Sequence, residues 1–264
     1  MSRIEATLIR NREQGRKSLI IYLTAGCPDY ATTKEAVLAA LAAGADVVEL
    51  GLPFSDPMAD GPVLQTAGNL ALANGATTRK SLDLVKSLRQ ETDAPLLTMC
   101  YLNTVLQYGI DEFTGQFSAA GLDGLIIPDM PDEEAQLLAE PCQQNQLDII
   151  SFLATTTGPK RAQRICRAAS GFIYCIAVNG VTGVQKTDYQ PISGIITEAR
   201  CHTDLPLAIG FGIGSGAAAQ EAARHSDAVI VGSALMQQLM EHGVGGVTRL
   251  VGEIRQALDQ KEAF

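Results

Sequence analysis

The chain has 264 residues, 46% hydrophobic and 19% charged, which suits one sizeable buried core and excludes a disordered chain. Its net charge of −9 argues against nucleic acid or an anionic membrane surface as the main partner. A small anionic substrate held by backbone amides and helix N-termini remains compatible with that charge.

The N-terminal residues carry scattered charges around no apolar core. No run reaches the roughly 18 continuous apolar residues of a membrane span, so a cytoplasmic protein is expected. An amphipathic stretch over Arg3–Gln14 predicts a helix ahead of the first strand. Eight apolar β-type runs then follow, at Ser18–Thr24, Asp46–Leu50, Pro95–Cys100, Asp123–Ile127, Asp148–Leu153, Phe172–Val178, Pro206–Ile209 and Asp227–Val231. Between them lie segments with helical spacing: Thr33–Ala43, Thr78–Gln90, Ile110–Ala120, Glu133–Gln146, Pro159–Ala169, Ile192–Cys201 and Gly216–His225. A last helix over Gly245–Gln260 closes the chain. The β runs are continuously apolar rather than alternating, as in parallel strands covered by helices. Ala-Gly-x-Asp or a close variant precedes several of them (AAGADVV, AAGLDGL, RHSDAVI), with glycine suited to the helix C′ position and Asp to the return. With no linker-like or low-complexity segment, the pattern predicts an α/β fold: one (β/α)8 barrel domain over residues 1–264 with an extra N-terminal helix.

In such barrels chemistry gathers at the C-terminal ends of the strands. VVELGLPFSDPMADGP (47–62) carries Glu49 inside an apolar strand run and Asp56 and Asp60 in the loop after it. A carboxylate in partly dry surroundings has a raised pKa and can exchange protons near neutrality. The bland reading is an internal hydrogen bond for Glu49 and turn capping for the aspartates. GFGIGSG (210–216) after the seventh run and GSA (232–234) after the eighth stand where barrels often hold phosphate, and Asn179–Gly183 after the sixth reads as a lid or a plain surface loop. The six cysteines show no CxxC pair and read as ordinary buried thiols. The three histidines sit away from the expected mouth, no strand run contains a lysine, and no metal-ligand spacing is evident. Carboxylates are left to run the chemistry, with Tyr22, Met99, Tyr101, Ile126, Tyr174 and Phe211 available as an apolar lining or simply as core.

LGLPFSDPMADGP, with GVTG, GFGI and GSA behind it, TAGCPD after the first strand and IPDMPDEE after the fourth, closely resembles the alpha subunits of tryptophan synthase, essentially end to end. The resemblance implies a (β/α)8 (TIM) barrel that cleaves indole-3-glycerol phosphate to indole and glyceraldehyde 3-phosphate without a cofactor or metal. It implies Glu49 as general acid/base and Asp60 as partner of the indole N–H. It assigns Gly183, Gly212, Gly232 and Ser233 to the phosphate, Thr182 to loop closure onto Asp60, and Tyr22, Met99, Ile126, Tyr174 and Phe211 to the indole. It further implies an α2β2 complex with a pyridoxal-phosphate beta subunit, contacted near Asp56, Pro57, Tyr101 and Asn103. Cys27, Thr104 and Ala177 depart from the family's usual Asp, Pro and Ser. None touches Glu49, Asp60 or the phosphate glycines, and the departures at 104 and 177 bear on coupling to that subunit more than on the chemistry. A stand-alone indole-releasing lyase and a catalytically weak allosteric binding subunit stay open as alternatives. A phosphosugar isomerase on the same barrel is disfavoured by the long ELGLPFSDP match.

Overall fold

A computed structural model describes residues 1–131, 133–176 and 189–260. Its strands are β1 (Ser18–Thr24), β2 (Val47–Gly51), β3 (Leu96–Met99), β4 (Gly124–Ile126), β5 (Asp148–Ile149), β6 (Ser151–Ala154), β7 (Ile173–Ile176), β8 (Leu207–Gly210) and β9 (Ala228–Val231). All pair in parallel in the order β5-β4-β3-β2-β1-β9-β8-β7-β6. β5 and β6 together occupy the single run expected at Asp148–Leu153. The run divides at Ile150, whose amide still bonds to the Leu125 carbonyl on the β4 side, and β6 then pairs with β7. The nine segments therefore make a nearly closed barrel of eight strand positions.

The helices are α1 (Arg3–Glu13), α2 (Tyr30–Ala42), α3 (Pro62–Ala73), α4 (Thr78–Arg89), α5 (Leu102–Tyr108), α6 (Ile110–Ala119), α7 (Gln136–Gln144), α8 (Pro159–Ala168), α9 (Gln190–Arg200), α10 (Gly216–Ala223) and α11 (Ser233–Asp259). Two of them, α3 and α5, have no counterpart among the predicted segments. Helix α3 starts on Pro62 with no side-chain cap, and α5 is seven residues long, too short to display a 3.6-residue period. The expected final helix begins earlier, at Ser233, because α11 has two arms joined at Gly243 (φ 63°, ψ −160°), a conformation glycine adopts at no steric cost.

Two apolar layers hold the barrel. The larger lies between strands and helices. The smaller fills the interior with Ile20, Val47, Leu97, Ile126, Phe172 and Ala208, and α1 seals its floor by adding Ile4 and Leu8. Those two side chains are 0% and 1% exposed, worth about 1.5–3 kcal/mol each. A capping box between Ser2 and Glu5 starts α1 at the correct place for this plug.

The aspartates of the Ala-Gly-x-Asp returns lie at the N-terminal rim and reach back to the preceding strand. Asp46 accepts from the Leu19 amide at 2.8 Å and pairs with Arg16. Asp123 accepts from the Leu96 amide and from Arg89, each at 2.8 Å, and also pairs with Arg3. Asp227 accepts from the Leu207 amide at 2.9 Å and from Arg200 at 2.5 Å.

Candidate active site

Successive strand side chains alternate between faces, so Glu49 points the same way as Val47, into the barrel. Tyr22 of β1 lies directly opposite Glu49 in the register, and Leu97 of β3 flanks it on the other side. The layer beneath is apolar. Glu49 is 1% exposed, and its Oε1 has no hydrogen-bond partner among the described residues. Burial pushes its pKa up to about 8, so the carboxyl holds its proton at neutrality.

Asp60 lies in the loop between β2 and α3, the loop that follows Glu49's strand. That loop is pinned from the side: the Tyr101 ring stacks on Phe54 with centroids 5.1 Å apart, and its hydroxyl accepts from the Ala59 amide at 2.9 Å. Gln65 of α3 donates to the Asp60 carbonyl at 2.9 Å. The Asp60 backbone is held while its Oδ1, buried, has no partner among the described residues. Burial raises its pKa, and the Tyr101 hydroxyl beside it opposes that rise. Burial, with the charges of Asp60 and Glu49, raises the Tyr22 hydroxyl pKa. Tyr174 of β7 belongs to the same group, its pKa raised by burial and by Glu49 and Tyr22.

Room for the two tyrosines comes from glycines on neighbouring strands. A Cβ at Gly51 would fall on the Tyr22 hydroxyl, and one at Gly210 on that of Tyr174. Met99 and Ile126 complete the inward face, Met99 half-buried and Ile126 fully buried. Phe211 follows β8 with φ +79°, a sparsely populated conformation for a bulky residue, which turns its half-exposed ring edge-on to Tyr174 at 6.4 Å.

Gly212 continues that left-handed turn with φ +74°. The loop then passes beside the start of α11, where a Cβ at Gly214 would lie 3.5 Å from Ala234. Gly232 precedes α11 with no side-chain cap, so the amides opening the helix at Ser233 are unspent by any cap there. A glycine turn against an uncapped helix N-terminus is suited to a phosphate group.

Other expected positions fare differently. Thr182, Gly183 and Ala177 lie outside the described residues. Asp56 and Asn103 are exposed and Pro57 is half-buried, with Met58 beside it 84% exposed. Tyr101 was expected at a partner surface and is instead 3% exposed, because its ring underlies Phe54 and holds the Asp60 loop. Cys27 is buried, which pushes its thiol up to about 11. Sequence reasoning passed over Asp129, whose carboxylate accepts from the Leu102 amide at 2.9 Å and starts α5. Its only signal was the acidic IPDMPDEE segment after β4. Sequence reasoning also passed over Thr24, two residues past Tyr22 on the same inward face. Among the described residues, no group of three or more His, Cys, Asp and Glu could hold a metal.

The sequence pattern of the tryptophan synthase alpha chain family matches residues 8–263. The tryptophan synthase alpha chain of Synechococcus elongatus is 44% identical over 252 residues, covering 95% of this chain and 94% of that one. That of Thioalkalivibrio sulfidiphilus is 42% identical over 266 residues, covering 98% and 100%. Among solved structures, the alpha chain from Legionella pneumophila subsp. pneumophila superposes with a TM-score of 0.90 at 33% identity, covering 100% of both chains. Tryptophan synthase from M. tuberculosis in an aminoacrylate-bound form gives 0.89 at 32% identity, covering 98% of this chain and 100% of that one.

Proposed function

The chain belongs to the tryptophan synthase alpha chain family, and from that membership we propose that Glu49 and Asp60 perform the family's reaction here as proton donor and anionic partner. The enzyme is a carbon–carbon lyase that cleaves indole-3-glycerol phosphate to indole and glyceraldehyde 3-phosphate. The cleaved bond joins an aromatic ring carbon to the glycerol chain, and an aromatic carbon is a poor leaving group. Protonating that carbon interrupts the aromaticity and puts positive charge on the ring nitrogen. A protonated Glu49 supplies the proton, and the Asp60 carboxylate accepts the ring N–H and stabilises the charge. The carbon–carbon bond then breaks with its electron pair returning to the ring. The adjacent hydroxyl gives up its proton to the emptied Glu49 carboxylate and becomes the aldehyde.

The observation that carries this reading is a pair of carboxyls, Glu49 buried and Asp60 half-buried, each with a buried oxygen that has no partner among the described residues, and of these Glu49 is protonated at neutrality. The glycine turn at Gly212 and the α11 N-terminus at Gly232 and Ser233 bind the phosphate. Tyr22, Met99, Ile126, Tyr174 and Phe211 surround the indole. Thr182 and Gly183 close over it, and neither a cofactor nor a metal takes part.

The family works with a beta subunit, and here the partner face is the Asp56–Met58 tip, exposed at Asp56 and Met58, with Asn103, shaped from beneath by Tyr101. The complex is an α2β2 heterotetramer in the cytoplasm, and any pyridoxal phosphate belongs to the beta subunit. No helix among the described residues is long and apolar enough to cross a membrane.

Indole release from indole-3-glycerol phosphate, measured with and without a beta subunit, tests the reading. The wild type should release indole faster when the beta subunit is added. Glu49→Gln should lose turnover by about a hundredfold to ten-thousandfold while binding substrate within about twofold. Most of the turnover surviving in that variant would remove Glu49 from the reaction.

A further inference from the structure

Helix α11 opens on the phosphate site assigned above. We propose that Met236, three residues past Ser233, is a positioning residue for that site. Its thioether accepts the Thr24 amide of β1 and so sets where the opening amides of α11 meet the phosphate. The inference rests on the reading of Gly232 and Ser233 as phosphate-binding. Contacts of this kind need their supporting element held to within about 0.5 Å.

The link from strand to helix leaves that placement open. β9 ends at Val231, and Gly232 alone (φ −121°, ψ −80°) turns the chain into α11, with no side-chain cap on the helix. The β1 ladder runs out at the same level. Ile21 is the last residue of β1 in register with β9, facing Val231. The Ala25 amide bonds to the Gly51 carbonyl on the β2 side, so by strand alternation the Thr24 amide faces β9. Thr24 is 2% exposed, and a buried amide left without an acceptor is costly. The carbonyl of Gly232, next along the chain from β9, already accepts from the Met236 amide at 3.0 Å. The Thr24 amide donates instead to Met236 Sδ at 3.2 Å. Met236 is fully buried, so solvent does not compete for the bond. A leucine would fill the same space but offers no acceptor, whereas the thioether does. The same turn of helix also meets the other half of the phosphate site. Ala234 lies 3.5 Å from where a Cβ at Gly214 would stand, so the seating of α11 fixes its distance from the loop that begins at Gly212.

Met236→Leu keeps the apolar volume and removes the acceptor. With indole-3-glycerol phosphate, its KM should rise about threefold to tenfold while kcat stays within about twofold. Inhibition by inorganic phosphate should weaken by the same factor. Indole-3-glycerol, which lacks the phosphate, should keep its kcat/KM within about twofold, because it makes no use of the helix start. The Thr24 amide proton should move upfield in the NMR spectrum as its hydrogen bond is lost. An unchanged KM and phosphate inhibition would overturn the proposal. So would an equal loss on both substrates, which a general loosening of the barrel produces. Ser233→Asp separates this inference from its premise, since an acidic residue suits a helix start but repels a phosphate. If that variant keeps the wild-type KM, the phosphate reading falls and the role of Met236 with it. If its KM rises sharply while Met236→Leu matches the wild type, only the role of Met236 falls.

Discussion

At the N-terminal rim of the barrel, Asp46, Asp123 and Asp227 each face at least one arginine and a backbone amide of the preceding strand. At the mouth, Glu49 and Asp60 each keep a buried oxygen without a partner among the described residues. In these three rim aspartates and these two mouth carboxyls the same chemical group is treated in opposite ways. Pairing at the rim ties each aspartate to a preceding-strand amide and to an arginine, locking strand to helix. At the mouth, withholding partners costs stability but holds Glu49 in the protonated form that proton transfer requires. Strand end alone does not decide this, since Asp148 at the N-terminal end of β5 also keeps a buried oxygen without a partner among the described residues and has its pKa raised by burial. An acidic residue beside a barrel strand has no fixed meaning until its partners are known.

Exchanging each kind of carboxyl for its amide should break the two ends apart most sharply. Glu49→Gln should lose turnover as above, with no fall in thermal midpoint, because it removes a group whose charged form the fold disfavours. Asp123→Asn should do the reverse. Arg3 and Arg89 lose their counter-charge, so urea unfolding should show a loss of about 2–4 kcal/mol with turnover per folded molecule unaltered. Equal losses of turnover in both variants would end the division between the two ends.

Two glycines offer a second, smaller contrast. Gly51→Ala drives a methyl group into Tyr22 at the mouth, and should cut turnover by about tenfold to a hundredfold along with about 1–3 kcal/mol of stability. Gly44→Ala at the rim meets Arg255 Cγ at 2.6 Å with φ +112°, and should cost about 1–3 kcal/mol while sparing turnover. Steady-state kinetics beside chemical denaturation reads both quantities for each variant.

The finest contrast is in pH. Turnover should fall as pH rises through about 8, where Glu49 loses the proton it must donate. Stability should carry the same signature. The native Glu49 keeps a proton that the unfolded chain releases above its ordinary 4.5, so its contribution falls as pH rises from 4.5 to about 8. Glu49→Gln should abolish that slope, which unfolding free energies measured across the window would detect. A slope unchanged by the substitution would mean that Glu49 titrates normally.

The period and apolarity of the segments, read residue by residue, specified the parallel barrel, the N-terminal helix and the strand bearing Glu49, because these are local patterns repeated along the chain. Helices α3 and α5 were not legible: one lacks a cap signal, and the other takes its N-terminal hydrogen bond from Asp129, 27 residues further along. The division of the fifth strand position at Ile150 depended on its two neighbours, which no single run encodes. At the site, the residue types of Glu49, Asp60 and the glycine loops stood out as departures from apolar or turn composition. That Tyr101 is buried beneath Phe54, that Tyr22 rests on Gly51 beside Thr24, and that Phe211 turns back with a positive φ were decided by packing between strands distant in sequence. Local sequence determines which way a side chain faces on its own strand. Which groups it meets, and so whether its proton is held or lost, is set by the neighbours that barrel closure brings beside it.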